Sequence, residues 1–261
     1  MFNKFYLPIN KSTYLIKYFI ITNADENLNG IHYHNGLNII DEEFNTDQCV
    51  CDGFYFTNAK NILSFLDNGI NLRKVYLPIN NKKFEMVKDP NENKWRSNLV
   101  NRATGELVLS DTANMLILGE KMSLSDPKTF EYLIECGADI HVNHEYALRW
   151  ACKNGYLEVV KFLVESGADI HVCCEYPLRF AAKNGHLEVV NFLVENGAVV
   201  QCCQNYPLHL AAQNYHFSIV IFLIKKIGIR NHLSIYDFLH PYNLIKYCLF
   251  GGNPHRFFET I

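Results

Sequence analysis

The stretch FLVESGADIHVCCEYPLRFAAKNGHLEVV, Phe162–Val190, returns thirty residues later as FLVENGAVVQCCQNYPLHLAAQNYHFSIV, Phe192–Val220. YLIECGADIHVNHEYALRWACKNGYLEVV, Tyr132–Val160, precedes both in the same register. The coincidences are not confined to apolar positions. Gly137, Gly167 and Gly197 align, as do Tyr146, Tyr176 and Tyr206, and Ala151, Ala181 and Ala211. A fixed interval of this kind marks a repeat architecture, in which each unit buries its apolar face against its neighbours.

Each unit reads as two short helices and a return loop. Pro177 and Pro207 suit a first helical turn, where an N–H has no helical partner to lose. The helix then passes through Ala181-Ala182 or Ala211-Ala212, small enough for neighbouring helices to approach, and Asn184-Gly185 breaks it. In the second helix Leu187, Val190, Leu193 and Val194 form one apolar stripe. Gly197 follows where a helix end takes a left-handed residue. Upstream, Ser125-Asp126-Pro127 sets a cap and a first-turn proline ahead of Phe130, Leu133 and Ile134. That helix is expected to pack on the domain before it. Tyr236–Leu249, interrupted by Pro241, is expected to form a divergent terminal pair.

The strings PLHLAA (Pro207–Ala212), KNGHLEVV (Lys183–Val190) and ESGADIH (Glu165–His171) resemble ankyrin repeats, from about Asp126 to the C-terminus. The resemblance implies a mostly α fold, an ankyrin-repeat solenoid over 121–261. Its clear units are 131–160, 161–190 and 191–220, with a degenerate cap over 221–261. Units of that family repeat about every 33 residues, whereas these repeat every thirty. The missing three fall between the GAD-type turn and the first helix, so the finger of each unit is expected to be shortened. The threonine expected before Pro-Leu-His is Tyr176 or Tyr206 here, and only His209 keeps the motif's histidine, with Arg149 and Arg179 in the other units.

By the same resemblance a partner protein lies against the fingers and the exposed side of the first helices. The matching positions are Asn143, His144 and Glu145, then Cys173, Cys174 and Glu175, then Gln204 and Asn205, joined by Lys153, Lys183 and Gln213 from the helices. Such a stack offers about 800 Å² per partner. With short fingers, the helical face is expected to carry more of the contact than usual.

The segment 1–120 does not repeat and reads as a small α+β domain. Thr13–Ile21, Gly53–Thr57 and Lys74–Ile79 have the β-branched and aromatic content of strands. Asn58–Asn68 reads as a helix capped by Asn58 and closed by Gly69, with Ile62, Leu63, Phe65 and Leu66 apolar. Asp89–Asn93 reads as a turn before Lys94-Trp95-Arg96. GFYFT, GINLRKVYLP and KWR resemble a module that precedes ankyrin stacks in giant DNA viruses, and heavy use of Asn, Ile, Lys, Phe and Tyr agrees with an AT-rich genome.

Hydrophobic residues make up 49% of the 261 and charged residues 20%, enough to build a real core. The formal charge of −3 lacks the basic balance that nucleic-acid binding calls for. No apolar run approaches the roughly 20 residues of a spanning helix, and no secretion signal is evident. The nine cysteines therefore read as reduced thiols in a cytoplasmic setting. His32-x-His34 and Cys49-x-Cys51 are metal candidates, because a spacing of two on a strand puts both side chains on one face. Exposed histidines and ordinary thiols are the plainer reading, and no metal or other cofactor is expected. Cys173 and Cys203, about 10 Å apart as helix columns, are too distant for a disulfide. The thiols of the fingers are expected to pack as small apolar groups.

There is no phosphate-binding glycine loop, no GxSxG and no HExxH, so the chain is not expected to be an enzyme. The reading is a protein-binding scaffold or adaptor with one partner protein, without nucleic acid or membrane, acting in host cytoplasm if viral. The alternatives are a structural virion component, or a small-ligand or enzymatic site in the N-terminal domain.

Overall fold

Phe19, Ile20, Ile21 and Thr22 are all buried within one strand, β1 (Tyr18–Thr22). Successive side chains of a strand point to opposite faces, so both faces of its sheet are covered. The computed structural model describes residues 18–28, 30–40, 54–87 and 111–227. The chain forms two compact units, Met1–Asn143 and His144–Ile261.

In the first unit β1 is followed by β2 (Asn27–Leu28), β3 (Ile31–His32), β4 (Gly36–Ile39) and β5 (Phe54–Asn58). Helix α1 (Ala59–Ile62), a 3₁₀ segment (Leu63–Asn68), β6 (Asn71–Tyr76), β7 (Met86–Val87), β8 (Asp111–Ala113) and β9 (Met115–Ser123) complete it up to the first long helix. The sheet order is β4-β9-β6-β1-β5-β8-β7, with antiparallel pairs throughout, and β2 and β3 form a separate hairpin. One face gathers Ile20, Tyr33, Phe54, Phe56, Val75, Leu116 and Leu118. From the opposite face Phe19 meets Tyr132 edge-on at 6.1 Å. Arg73 on β6 is buried and reaches Glu26 at 3.1 Å, the Gly119 carbonyl at 2.9 Å and the Asn35 side chain, tying the β2–β3 hairpin to the sheet.

The strands expected from β-branched content are present as β1, β5 and β6, with shifted ends. The part of Thr13–Ile21 before Tyr18 lies outside the described residues, as do Cys49, Cys51, Asp89–Asn93, Trp95 and Tyr236–Leu249. The strand expected over Lys74–Ile79 runs instead over Asn71–Tyr76. Pro78, which has no N–H, falls just past its end, where a proline cannot extend a ladder. The helix expected over Asn58–Asn68 is α-helical only to Ile62. Beyond that a three-residue turn stacks Leu63 over Leu66, both fully buried. Asn58 caps it, accepting from the Asn61 N–H at 3.2 Å. Gly69 is required for another reason than a left-handed turn: its backbone is extended, and a Cβ there would stand 1.9 Å from the Thr22 carbonyl oxygen.

Helix α2 (Pro127–Glu135) belongs to this unit. Asp126 accepts from the Lys128 N–H at 3.0 Å, and Phe130 and Leu133 are buried. Lys74 on β6 lies 4.5 Å above the Tyr132 ring. The helix packs on the sheet, as its sequence position suggested.

Helix α3 (Val142–Asn154) leads into the second unit, made of α4 (Leu157–Glu165), α5 (Val172–Asn184), α6 (Leu187–Glu195), α7 (Cys202–Gln213) and α8 (Phe217–Ile227). Helix α5 packs on α6 and α7, α6 lies against α4 and α8, and α7 lies against α8. Their core repeats in kind: Leu148 and Ala151, Leu178 and Ala181, Leu208 and Ala211 from the first helices; Val160 and Leu163, Val190 and Leu193, Val220 and Leu223 from the second. Gly167 and Gly197 end α4 and α6 with positive φ of 99° and 100°. The following N–H groups of Ala168 and Ala198 reach back to Leu163 and Leu193 at 3.0 and 2.9 Å, closing each helix end.

Candidate protein-binding face

The connection that leads into each first helix has a definite geometry. Asn143, His144 and Glu145 all have φ between 53° and 57°, Cys173, Cys174 and Glu175 between 50° and 59°, and Cys203, Gln204 and Asn205 between 46° and 60°. Three successive left-handed residues form one turn of the opposite hand before the right-handed helix resumes at the tyrosine. Each L-residue other than glycine pays roughly 1–2 kcal/mol for that conformation, asparagine less. The third residue of each turn curls inward. Glu145 and Glu175 are only 7% and 4% exposed, and Asn205 is half-buried. Glu175 Oε1 meets Nδ1 of His171 at 2.6 Å, and this hydrogen bond raises the His171 pKa above its ordinary value.

The eleven expected contact residues therefore fall into two groups. Glu145, Glu175 and the half-buried Asn143 and Asn205 shape the turns; Asn143 Nδ2 donates to Ser64 Oγ at 3.0 Å within the first unit. His144, Cys173, Cys174, Gln204, Lys153, Lys183 and Gln213 are exposed. The thiols do not pack between turns as expected, for Cys173, Cys174 and Cys203 are exposed and Cys202 is half-buried. Burial pushes the Cys202 thiol up to about 11. The metal candidates are not assembled by β3, which ends at His32, so His34 lies beyond the strand, where its Nε2 sits 3.0 Å from the Leu37 carbonyl. Among the described residues no group of three or more His, Cys, Asp or Glu side chains is placed to hold a metal ion. No helix among them is long and apolar enough to cross a membrane.

Sequence reading missed the feature that organises the face. Arg149 lies 5.4 Å from the Tyr146 ring in its own helix and 4.9 Å from Tyr176 in the next; Arg179 lies 6.0 Å from Tyr176 and 4.7 Å from Tyr206. Guanidinium and phenol thus alternate from α3 to α7, each cation joining two successive first helices. Tyr176 also stacks on Phe180 at 3.9 Å, and Lys183 lies 5.5 Å over Phe180. The signal was in the sequence as Tyr-x-x-Arg recurring at Tyr146 and Tyr176, where the arginines had been noted only as replacing a histidine.

A second joint lies at the far end of the first helices. His186 Nε2 meets the Lys153 carbonyl at 3.0 Å, and His216 Nε2 meets the Lys183 carbonyl at 2.9 Å. Each ring sits over a glycine of the preceding unit: a Cβ on Gly155 would stand 2.4 Å from His186, and one on Gly185 2.6 Å from His216. At the corresponding place after α7 stands Tyr215, with φ of 62° and an exposed side chain.

Comparison with known proteins agrees with these internal recurrences. A family model described as ankyrin repeats (many copies) matches residues 148–194 and 178–224. A putative ankyrin repeat protein of Acanthamoeba polyphaga mimivirus is 43% identical over 147 residues, covering 55% of this chain and 64% of that protein. Another from the same virus is 43% identical over 134 residues, covering 49% of this chain and 38% of its own length. The chain thus spans less than two thirds of both. An uncharacterized protein of that virus is 44% identical over 146 residues, which cover 55% of this chain and 94% of the relative. With two overlapping repeat matches from α3 to α8 and mimivirus relatives at 43% identity that are themselves described as ankyrin repeat proteins, the chain is an ankyrin-repeat protein.

Proposed function

We propose that the units stack as a solenoid of thirty-residue repeats and that the chain is a viral adaptor holding a host protein on the face of its first helices. Ankyrin repeats are a protein-interaction module, and the relatives are viral. The observation that carries the reading is the solvent side of α5, where the exposed Lys183 stands with the half-buried Tyr176, Phe180 and Arg179. Flat aromatic rings beside cations, held by a packed scaffold, are the residue types that dominate protein interfaces. The left-handed turns project little, so the helical face supplies the contact. The proposed site of action is the host cytoplasm. In the first unit, the described sheet face is filled by Ile20, Tyr33, Phe54 and Phe56, which gives a small-ligand site there no support.

Affinity capture of the full chain from host cells tests the proposal, with a Lys183→Glu, Gln213→Arg variant alongside. Both positions are exposed. The expected result is a partner recovered by the parent chain and lost by a variant with an unchanged helical spectrum. Equal recovery by both would refute the placement of the surface.

A further inference from the structure

Charge on the second unit is sorted by helix. Among its described residues the exposed carboxylates are Glu158, Glu165, Asp169, Glu188 and Glu195, all on the second helices or the loops that follow them. The first helices carry Glu145 and Glu175, both buried in the left-handed turns. Their other charges are all positive: Arg149 and Lys153 on α3, Arg179 and Lys183 on α5. In each helix the arginine and lysine are four residues apart, hence on one face. The same column in α7 holds His209 and Gln213, and burial lowers the His209 pKa, keeping that ring neutral. Lys153 and Lys183 are exposed and Arg179 is half-buried, whereas Arg149 is buried against Tyr146 and Tyr176. A chain of net charge −3 therefore presents a strip across α3 and α5 whose exposed charges are all cationic.

We propose that this strip takes an extended acidic segment of the partner protein, with two carboxylates three residues apart. The proposal rests on the binding reading above and names the chemistry of that partner. Its spacing follows from the geometry. The Arg149–Tyr176 and Arg179–Tyr206 contacts hold successive first helices side by side, and packed helices lie about 8–10 Å apart. An extended or polyproline chain rises about 3.1–3.4 Å per residue, so every third side chain advances about one helix column. Carboxylates at that interval fall on the exposed Lys153, then on the exposed Lys183 with the half-buried Arg179 beside it. The half-buried Tyr176 and Phe180 flank these cations on α5, beside which an apolar or aromatic residue of the segment can lie. Two exposed lysines and one half-buried arginine, in a chain of negative net charge, are a small footprint for a nucleic acid, whose affinity grows with each phosphate neutralised.

Selection of a random twelve-residue peptide display library on the immobilised full chain at low salt tests this, followed by titration of labelled synthetic peptides. Enriched peptides are expected to carry Asp or Glu at i and i+3. Their glutamine analogues are expected to bind at least tenfold more weakly, as is the parent peptide to a Lys153→Glu, Lys183→Glu variant that keeps its helical spectrum. Enrichment of neutral or basic peptides overturns the acidic assignment and leaves protein binding standing. Tighter, variant-sensitive binding of a twelve-nucleotide single strand also overturns it. A chain that enriches no peptide and captures no host protein sinks this proposal together with the adaptor reading.

Discussion

Substituting Gly185 by alanine separates the two reasons for a glycine in these repeats. Gly185 and Gly167 both have positive φ, 86° and 99°, so an alanine at either pays about 1 kcal/mol of backbone strain. At Gly167 nothing lies within 4 Å of the added Cβ, whereas at Gly185 it would stand 2.6 Å from Cε1 and 2.7 Å from Nδ1 of His216. The ring must swing away and surrender its hydrogen bond to the Lys183 carbonyl, worth about 1 kcal/mol, together with its packing contacts. Gly167→Ala should therefore cost about 1 kcal/mol and Gly185→Ala about 2–3 kcal/mol. Urea denaturation followed by helical circular dichroism measures both. In a double-mutant cycle, His216→Ala should erase the excess at Gly185 and leave the penalty at Gly167 unchanged. Equal costs at the two glycines, or an excess that survives without His216, would refute the histidine joint.

Tyr215→Gly should stabilise the second unit by about 0.5 kcal/mol, since it relieves the left-handed tyrosine at φ 62° at the expense of a looser unfolded chain; the urea midpoint reports it. Arg73→Ala should cost about 3 kcal/mol or more, because it leaves Glu26 with one cation, Lys121 at 3.4 Å, in a partly buried place; hydrogen exchange should show the β2–β3 hairpin opening first. Glu175→Gln should lower the His171 pKa, read by NMR titration. Because Glu175 raises that pKa in the folded state, the pair's stabilisation is complete below about pH 6.5 and fades as pH rises through the folded value. The gap in melting temperature between parent and Glu175→Gln should therefore narrow from pH 6 to pH 8.

The repeat was legible because its marks are local: glycines at helix ends, alanines where helices meet, and an apolar stripe within a single helix. The hand of the shortened turn was not. Asn143 and Asn205 tolerate the left-handed region, but His144, Glu145, Cys173, Cys174 and Glu175 give no local signal for it, and the conformation follows from closing a short connection between two packed helices. For the same reason Glu145 and Glu175 read as surface residues and are buried. In the sheet, β1, β5 and β6 were recognisable from branched and aromatic content. Strand β9 was passed over because MLIL at Met115–Leu118 is too short an apolar run to separate strand from helix, and its partners β4 and β6 come from distant sequence. The arginine–tyrosine alternation needed the fold, since each cation's second ring belongs to the following unit.

The histidine-over-glycine joint has a direction. The middle unit both sets a peg, His186, and offers a notch, Gly185, while the first offers Gly155 and the third sets His216. The first and third would thus fit one another head to tail as each fits the middle. A gene segment that encodes one whole unit can then be lost or duplicated without breaking a single joint, while a cut out of phase strands a histidine against a side chain.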